Sequence, residues 1–272
     1  MNSSQHNKNL AAAGARWLLD QYAELVAAVR FLSVLPLPEY PRHSDHATVP
    51  QRVGSGYYPL VGLLLGLLLS LLVVVAAPHL PILALAALLV VGLVLLTGGL
   101  HLDGLMDACD GLFGGSTRER KLEIMRDSRV GSFGVLGAAC VLLLKWSFLS
   151  SLGAAQLIQA LVISLPCARW AMVVALRAFP SARVTGLGAA FRQTVTPGSL
   201  LQAGITAMVI ALLAGGLVGA ISWLVATLLA LALGAWVTRS LGGLTGDIYG
   251  AIAEITEVIL LLLFVLLYVT YS

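Results

Sequence analysis

The sequence predicts an all-α, polytopic integral membrane protein of about seven transmembrane helices, with six to eight compatible, and an N-terminal amphipathic interfacial helix. Three observations carry this reading. Hydrophobic residues make up 59% of the chain and charged residues only 11%, a balance outside that of water-soluble domains. Apolar runs recur at the length of ~20 residues that a bilayer core demands. The 28 glycines suit helices packed in lipid, where small residues let backbones approach.

Residues 1–10 are polar and lack an apolar h-region, so no cleavable signal peptide is expected. From Ala11 to Leu35, the apolar residues Trp17, Leu18, Tyr22, Leu25, Val29 and Leu32 recur near helical spacing. Arg16, Asp20, Glu24 and Arg30 fall among them, so an amphipathic helix is expected. It would lie at the membrane interface or pack on the protein's own cytoplasmic face. Pro36, Pro38 and Pro41 end it, and residues 36–56 form a polar loop.

Spans are expected at 57–77, 81–102, 131–152, 155–177, 200–220, 222–241 and 250–270. Pro78 and Pro81 mark the first turn, Gly153 the third short connection, and a turn near 221 joins the fifth and sixth spans. This divides the chain into a cytoplasmic tail, amphipathic helix and loop over 1–56 and one transmembrane catalytic domain over 57–272. The basic residues orient it. Lys8, Arg16, Arg30, Arg42 and Arg52 precede the first span, and Arg118, Arg120, Lys121, Arg126 and Arg129 lie between the second and third. Arg177, Arg183 and Arg192 follow the fourth, and Arg239 closes the sixth. Seven spans put all of these on one side, the cytoplasmic one, and leave the C-terminus outside. Cys109, Cys140 and Cys167 have no framework spacing and read as free thiols.

The chemistry concentrates in residues 97–115, TGGLHLDGLMDACDGLFGG. A carboxylate at the middle of a membrane helix costs roughly 2.5–3.5 kcal/mol, so acids closing an apolar run point to function. Asp103, Asp107 and Asp110 lie at i, i+4 and i+7, within an arc of about 60° on a helix. Such a stripe repels itself unless a cation sits between its members, and a hard divalent ion, Mg²⁺, suits oxygen ligands shared with substrate phosphates. A second acidic face is expected where Asp247, Glu254 and Glu257 open the last span, with Gly250 leaving room for close approach. Salt bridges from these acids to Arg169 or Arg239 are the alternative. Asp127 either serves the site or caps the third span.

Arg126 and Arg129 flank Asp127, and paired arginines suit bidentate phosphate binding. Enforcing topology is the other role for this basic loop. The glycine-rich stretch 183–198, with Arg183, Arg192 and Thr194, either cradles an anionic or nucleobase group or only connects. His101 is a candidate base or ligand, or a local hydrogen-bonding residue. The candidates are therefore Asp103, Asp107, Asp110 and Asp247 for catalysis, with Glu254 and Glu257 joining them as metal ligands. Arg126, Arg129, Asp127, His101 and Arg192 are the candidates for substrate binding. Together they describe a Mg²⁺-dependent membrane enzyme acting on a phosphorylated substrate from the cytoplasmic side.

Residues 98–115 (GGLHLDGLMDACDGLFGG) and 119–134 (ERKLEIMRDSRVGSFG) resemble the signature of the cobalamin synthase family. Residues 30–38 (RFLSVLPLP), 186–188 (GLG) and 243–257 (GLTGDIYGAIAEITE) extend the resemblance over nearly the whole chain. It implies an adenosylcobinamide-GDP ribazoletransferase of the bacterial inner membrane. Such an enzyme joins α-ribazole, or its 5′-phosphate, to the phosphate of adenosylcobinamide-GDP with Mg²⁺ and releases GMP. It also implies Asp103, Asp107, Asp110, Asp127, Asp247 and Glu254 as site residues. Small-molecule substrates and the lipid bilayer are the expected partners, with no nucleic acid. Association with other late corrinoid enzymes, and an oligomeric state, are compatible with this reading. A CDP-alcohol phosphotransferase is the nearest alternative, although Asp103-Gly104 is not followed by that family's arginine. A cation-coupled transporter is the alternative from a different class.

Overall fold

The computed structural model describes residues 3–38, 53–183, 191–192 and 194–269. Among them every regular element is helical apart from an isolated parallel bridge between Ser181 and Leu244. Helix α1 (Ser3–Leu32) starts earlier than its apolar periodicity indicates and stops short of Pro36. Its first described half exposes Trp17, Leu18, Leu19 and Tyr22, whereas Val26, Ala28, Val29 and Leu32 are buried. The helix thus divides by length: an apolar exposed stretch suited to an interface, then a stretch packed on the protein. Gly54, with φ 64°, begins the approach to α2, where a Cβ would collide with Glu24 O.

Helix α2 (Tyr58–Ala76) has Pro59 in its first turn, where no amide partner is lost. It lies against the later helix α7 at Gly62 and Gly66, where a Cβ would stand 2.6 Å from Leu165 O and 2.8 Å from Leu161 O. Such backbone approach is the use lipid-embedded helices make of glycine. Helix α3 (Ile82–Thr97) ends at Gly98 and Gly99, both left-handed with φ 62° and 72°. The chain then turns by 90° into α4 (Leu100–Gly114). The expected span 81–102 is therefore corrected: it stops at Thr97, and the acidic stretch forms its own bent-away helix. Two glycines that tolerate positive φ make the corner.

Helix α5 (Arg118–Ile124), capped by the Thr117 hydroxyl, leads into α6 (Ser132–Ser150). Helix α7 (Ala154–Ala178) is the most enclosed span and packs on α2, on α8 (Pro197–Leu241) and on α9 (Gly246–Val269). Straight, the 45 residues of α8 would measure about 68 Å at ~1.5 Å per residue, twice a bilayer core. They are not straight. Gly216 has φ 52° and ψ −123°, and a Cβ on Gly219 would collide with Ala211 O, which requires the chain to fold back. The expected turn near 221 is corrected to Gly216.

Among the described residues five helices are long and apolar enough to cross a membrane, or six if the bent pair α3–α4 counts as one span. Treating the two arms of α8 separately reaches the seven expected from sequence. The basic segments meet at one end. Arg118 Nε donates to Leu241 O (2.7 Å) and Nη2 to Ala182 O (3.0 Å), while Lys121 Nζ reaches Ser240 Oγ (2.7 Å). Arg42, Arg52 and the 186–188 glycine motif lie outside the described residues.

Candidate active site

The acidic ends of α4 and α9 cross where both lack side-chain bulk. A Cβ on Gly104 would stand 2.9 Å from Asp247 O, and one on Gly250 would stand 3.0 Å from His101 O. This contact sets Asp103 and Asp107 beside Asp247. Asp103 is exposed, whereas Asp107 and Asp247 are partly buried. Asp107 feels Asp103, Asp247 and Asp110 as like charges and Arg183 as an opposite one. Asp103 and Asp247 each occupy a helix first turn, where the partial positive charge of the amides offsets some of that repulsion. Thr245 Oγ1 donates to Asp247 Oδ2 at 3.1 Å.

Asp110 leaves the stripe. The Gly131 N–H donates to its Oδ2 and the Gly134 N–H to its Oδ1, both at 2.8 Å. Its carboxylate thereby caps α6 from another helix, satisfying amides that would otherwise be orphaned. Any Cβ at Gly131 or Gly134 would collide with that carboxylate, so both glycines are needed. Asp110→Ala is expected to destabilise the fold by about 1–3 kcal/mol, because buried amides lose their acceptor. A lowered unfolding temperature in detergent would register it; an unchanged one would remove the capping role.

Glu254 and Glu257 do not reach the Asp103–Asp107–Asp247 group. Lys145 on α6 donates to Glu254 Oε2 at 2.6 Å and also to Glu257 Oε2, while Arg169 on α7 donates to Glu257 Oε1. All four side chains are buried. Two positive and two negative groups cancel inside the bundle, as buried charge must. The expected metal role of these glutamates is corrected to ion pairing, the alternative that Arg169 had offered. Lys145 was not singled out from sequence, although a lone lysine inside an apolar span calls for a partner and was the signal available. His101 is also buried and stands near Arg169, Glu257 and Lys145; neither ring nitrogen has a partner among the described residues. It faces the ion-pair network and not the open carboxylates.

Asp127 does not cap α6. It binds Arg129 bidentately, with Arg129 Nη2 to Oδ2 at 2.7 Å and Nε to Oδ1 at 3.1 Å, and it also accepts the Arg129 N–H at 3.0 Å. These side-chain and backbone hydrogen bonds from Arg129 hold its carboxyl near about 2. Arg192 is exposed and donates from Nε to Phe179 O at 2.8 Å. The Arg126 amide donates to Glu123 O at 3.0 Å, and its exposed side chain makes no hydrogen bond or ion pair among the described residues. Arg183, partly buried, faces Asp247, Asp107 and Arg126.

Among the described residues no three His, Cys, Asp or Glu side chains converge closely enough to cage a metal ion. Mg²⁺ does not require such a cage. It retains waters and commonly takes one or two carboxylates with substrate phosphates. Asp103 is exposed and Asp107 and Asp247 are partly exposed, so one or two of these oxygen donors fit that mode of binding.

A helical bundle that spans the membrane and gathers free carboxylates and arginines at one end defines a polytopic membrane enzyme. The chain belongs to the Cobalamin-5-phosphate synthase family, which it matches over residues 24–265. It is similar to the adenosylcobinamide-GDP ribazoletransferase of Roseiflexus sp. (strain RS-1), 43% identical over 240 residues covering 88% of each chain. The enzyme of the same name from Desulfitobacterium hafniense (strain Y51) is 43% identical over 88% of this chain and 95% of the relative. That from Citrobacter koseri is 39% identical over 87% and 96%. No solved structure matches the chain. Family and relatives make this protein a transferase of cobalamin biosynthesis.

Proposed function

We propose that this chain joins α-ribazole, or its 5′-phosphate, to adenosylcobinamide-GDP in a Mg²⁺-dependent transfer that releases GMP. The observation that carries the reading is the approach of Asp103 and Asp107 on α4 to Asp247 on α9, with Arg183 facing them and Arg126 near. The relatives' shared name supplies the phosphate donor.

One or two of Asp103, Asp107 and Asp247 would hold Mg²⁺ together with water and substrate phosphate, and the ion when bound would neutralise charge on the diphosphate oxygens. Arg126, exposed near these acids, would help hold the diphosphate in place, as guanidinium groups suit phosphate geometry. A ribose hydroxyl attacks the phosphorus on the cobinamide side. One P–O bond forms, the bridging P–O bond to GMP breaks, and the hydroxyl proton passes to Asp103, Asp107 or Asp247. Most of the rate then comes from alignment and charge, since phosphoryl transfer asks for little covalent chemistry from the protein.

In this reading the site faces the cytoplasm from a bacterial inner membrane. Arg118, Lys121, Arg126, Arg129, Arg183 and Arg239 lie at or near the site's end of the bundle, and basic residues concentrate on the cytoplasmic side. The family assignment sets the CDP-alcohol and transporter alternatives aside.

Purified protein in lipid nanodiscs, given Mg²⁺, adenosylcobinamide-GDP and α-ribazole, is expected to release GMP and form a cobalamin, and EDTA is expected to stop both. Absence of GMP from folded protein, or release undiminished by EDTA, would overturn the transferase reading or its metal dependence respectively.

A further inference from the structure

The basic residues at this end of the bundle divide sharply by what they already hold. Arg118 and Lys121 staple α5 to the end of α8, and Arg120 pairs with Glu123 at 2.8 Å. Arg129 is taken by Asp127, and Arg192 is bonded to Phe179 O. Arg183 differs. Its Nη2 donates to Leu122 O at 3.2 Å, which fixes the guanidinium without neutralising it. Its Nε is buried and has no partner among the described residues. Asp107 and Asp247 act on it electrostatically, yet neither makes an ion pair with it. Opposite charges that face each other without touching leave a gap that an anion with its cation would fill.

The backbone around Arg183 is built to hold it there. The Ala182 N–H donates to Leu244 O at 2.9 Å, and the Leu244 N–H donates to Pro180 O at 2.8 Å. Arg118 Nη2 binds Ala182 O, and the Ser181 hydroxyl donates to Arg183 O at 2.8 Å. Leu244 stands three residues before Asp247, and Leu122 stands four before Arg126. The segment carrying Arg183 is therefore tied both to the stretch of chain that starts α9 and to α5, whose end leads into the turn that carries Arg126.

We infer that Arg183 is a phosphate-binding residue of this site and grips the diphosphate of the nucleotide-bearing substrate from the side opposite Asp103, Asp107 and Asp247. The inference rests on the transferase reading only for the identity of that substrate. A partly desolvated, positionally fixed guanidinium with a free edge loses little freedom on binding phosphate, unlike the exposed arginines nearby.

The test is equilibrium binding of GDP and of inorganic pyrophosphate to the protein in nanodiscs, with Mg²⁺ held at one concentration for every variant so that a difference between variants reports Arg183 and not the metal. Wild type is expected to bind both. Arg183→Ala is expected to weaken both by about tenfold or more, with the unfolding temperature recording whether the fold survives loss of the Leu122 bond. Arg183→Lys keeps the charge without the fork and is expected to fall between the two, which a purely structural role would not produce. Arg120→Ala removes a like charge from exposed α5 and is expected to change nothing. No binding by wild type, undiminished binding by folded Arg183→Ala, or a loss confined to GDP would each overturn the inference. Pyrophosphate binding through Arg183 in a protein that releases no GMP would leave the anion site standing and sink the transferase reading instead.

Discussion

Asp107→Asn and Asp247→Asn are each expected to lower GMP release by about 100- to 1000-fold. A ligand carboxylate that helps a metal stabilise developing phosphate charge accounts for several kcal/mol, and each ~1.4 kcal/mol is a factor of ten in rate. Asparagine keeps the shape at both positions, and its carbonyl can still accept from Thr245 at position 247. The fold should therefore survive. It should even gain slightly, because Asp107 sits among Asp103, Asp247 and Asp110, and removing one of four like charges relieves repulsion. Inactive yet equally or more stable protein is the signature of a site held against its own electrostatics. Wild-type activity in either variant would remove that carboxylate from the site. A lowered unfolding temperature would mean that the acids are structural.

Lys145→Met should do the opposite and strike stability first. Glu254 and Glu257 would then face Arg169 alone, leaving buried negative charge without its full partner. Breaking one member of a buried ion-pair set costs about 3–5 kcal/mol, much of it the desolvation of the charge left behind. Lower yield and a lower unfolding temperature in detergent would record it. Adding Glu254→Gln to Lys145→Met should recover much of the loss, since the orphaned charge disappears with its partner. Glu254→Gln alone also separates the two roles proposed for that residue. As an ion-pair partner it leaves the Mg²⁺ concentration for half-maximal GMP release unchanged. A rise in that concentration would restore the metal-ligand role that its spacing from Asp247 indicated.

These two outcomes separate acids that look alike in sequence. Asp247, Glu254 and Glu257 share one helical face, yet the first opens toward α4 and the other two are enclosed by Lys145 and Arg169. The same holds on α4, where Asp107 stays with the site and Asp110 turns its oxygens to the amides of α6. Period alone put each set on one stripe.

The sequence by itself determined the membrane-spanning, all-helical class, the placing of Asp247 at the start of the last helix, and the facing of the two acidic stretches with Gly250 leaving room between them. These follow from local quantities: apolar run length, helical period and the cost of charge in lipid. The tertiary structure alone decided the corner at Gly98–Gly99, the reversal at Gly216, the partners of Asp110, Glu254 and Glu257, and the station of Arg183. Helical period says which side of a helix a residue occupies. What covers that side is set by contacts between residues far apart in the chain, such as Lys145 with Glu254, and no local pattern encodes them.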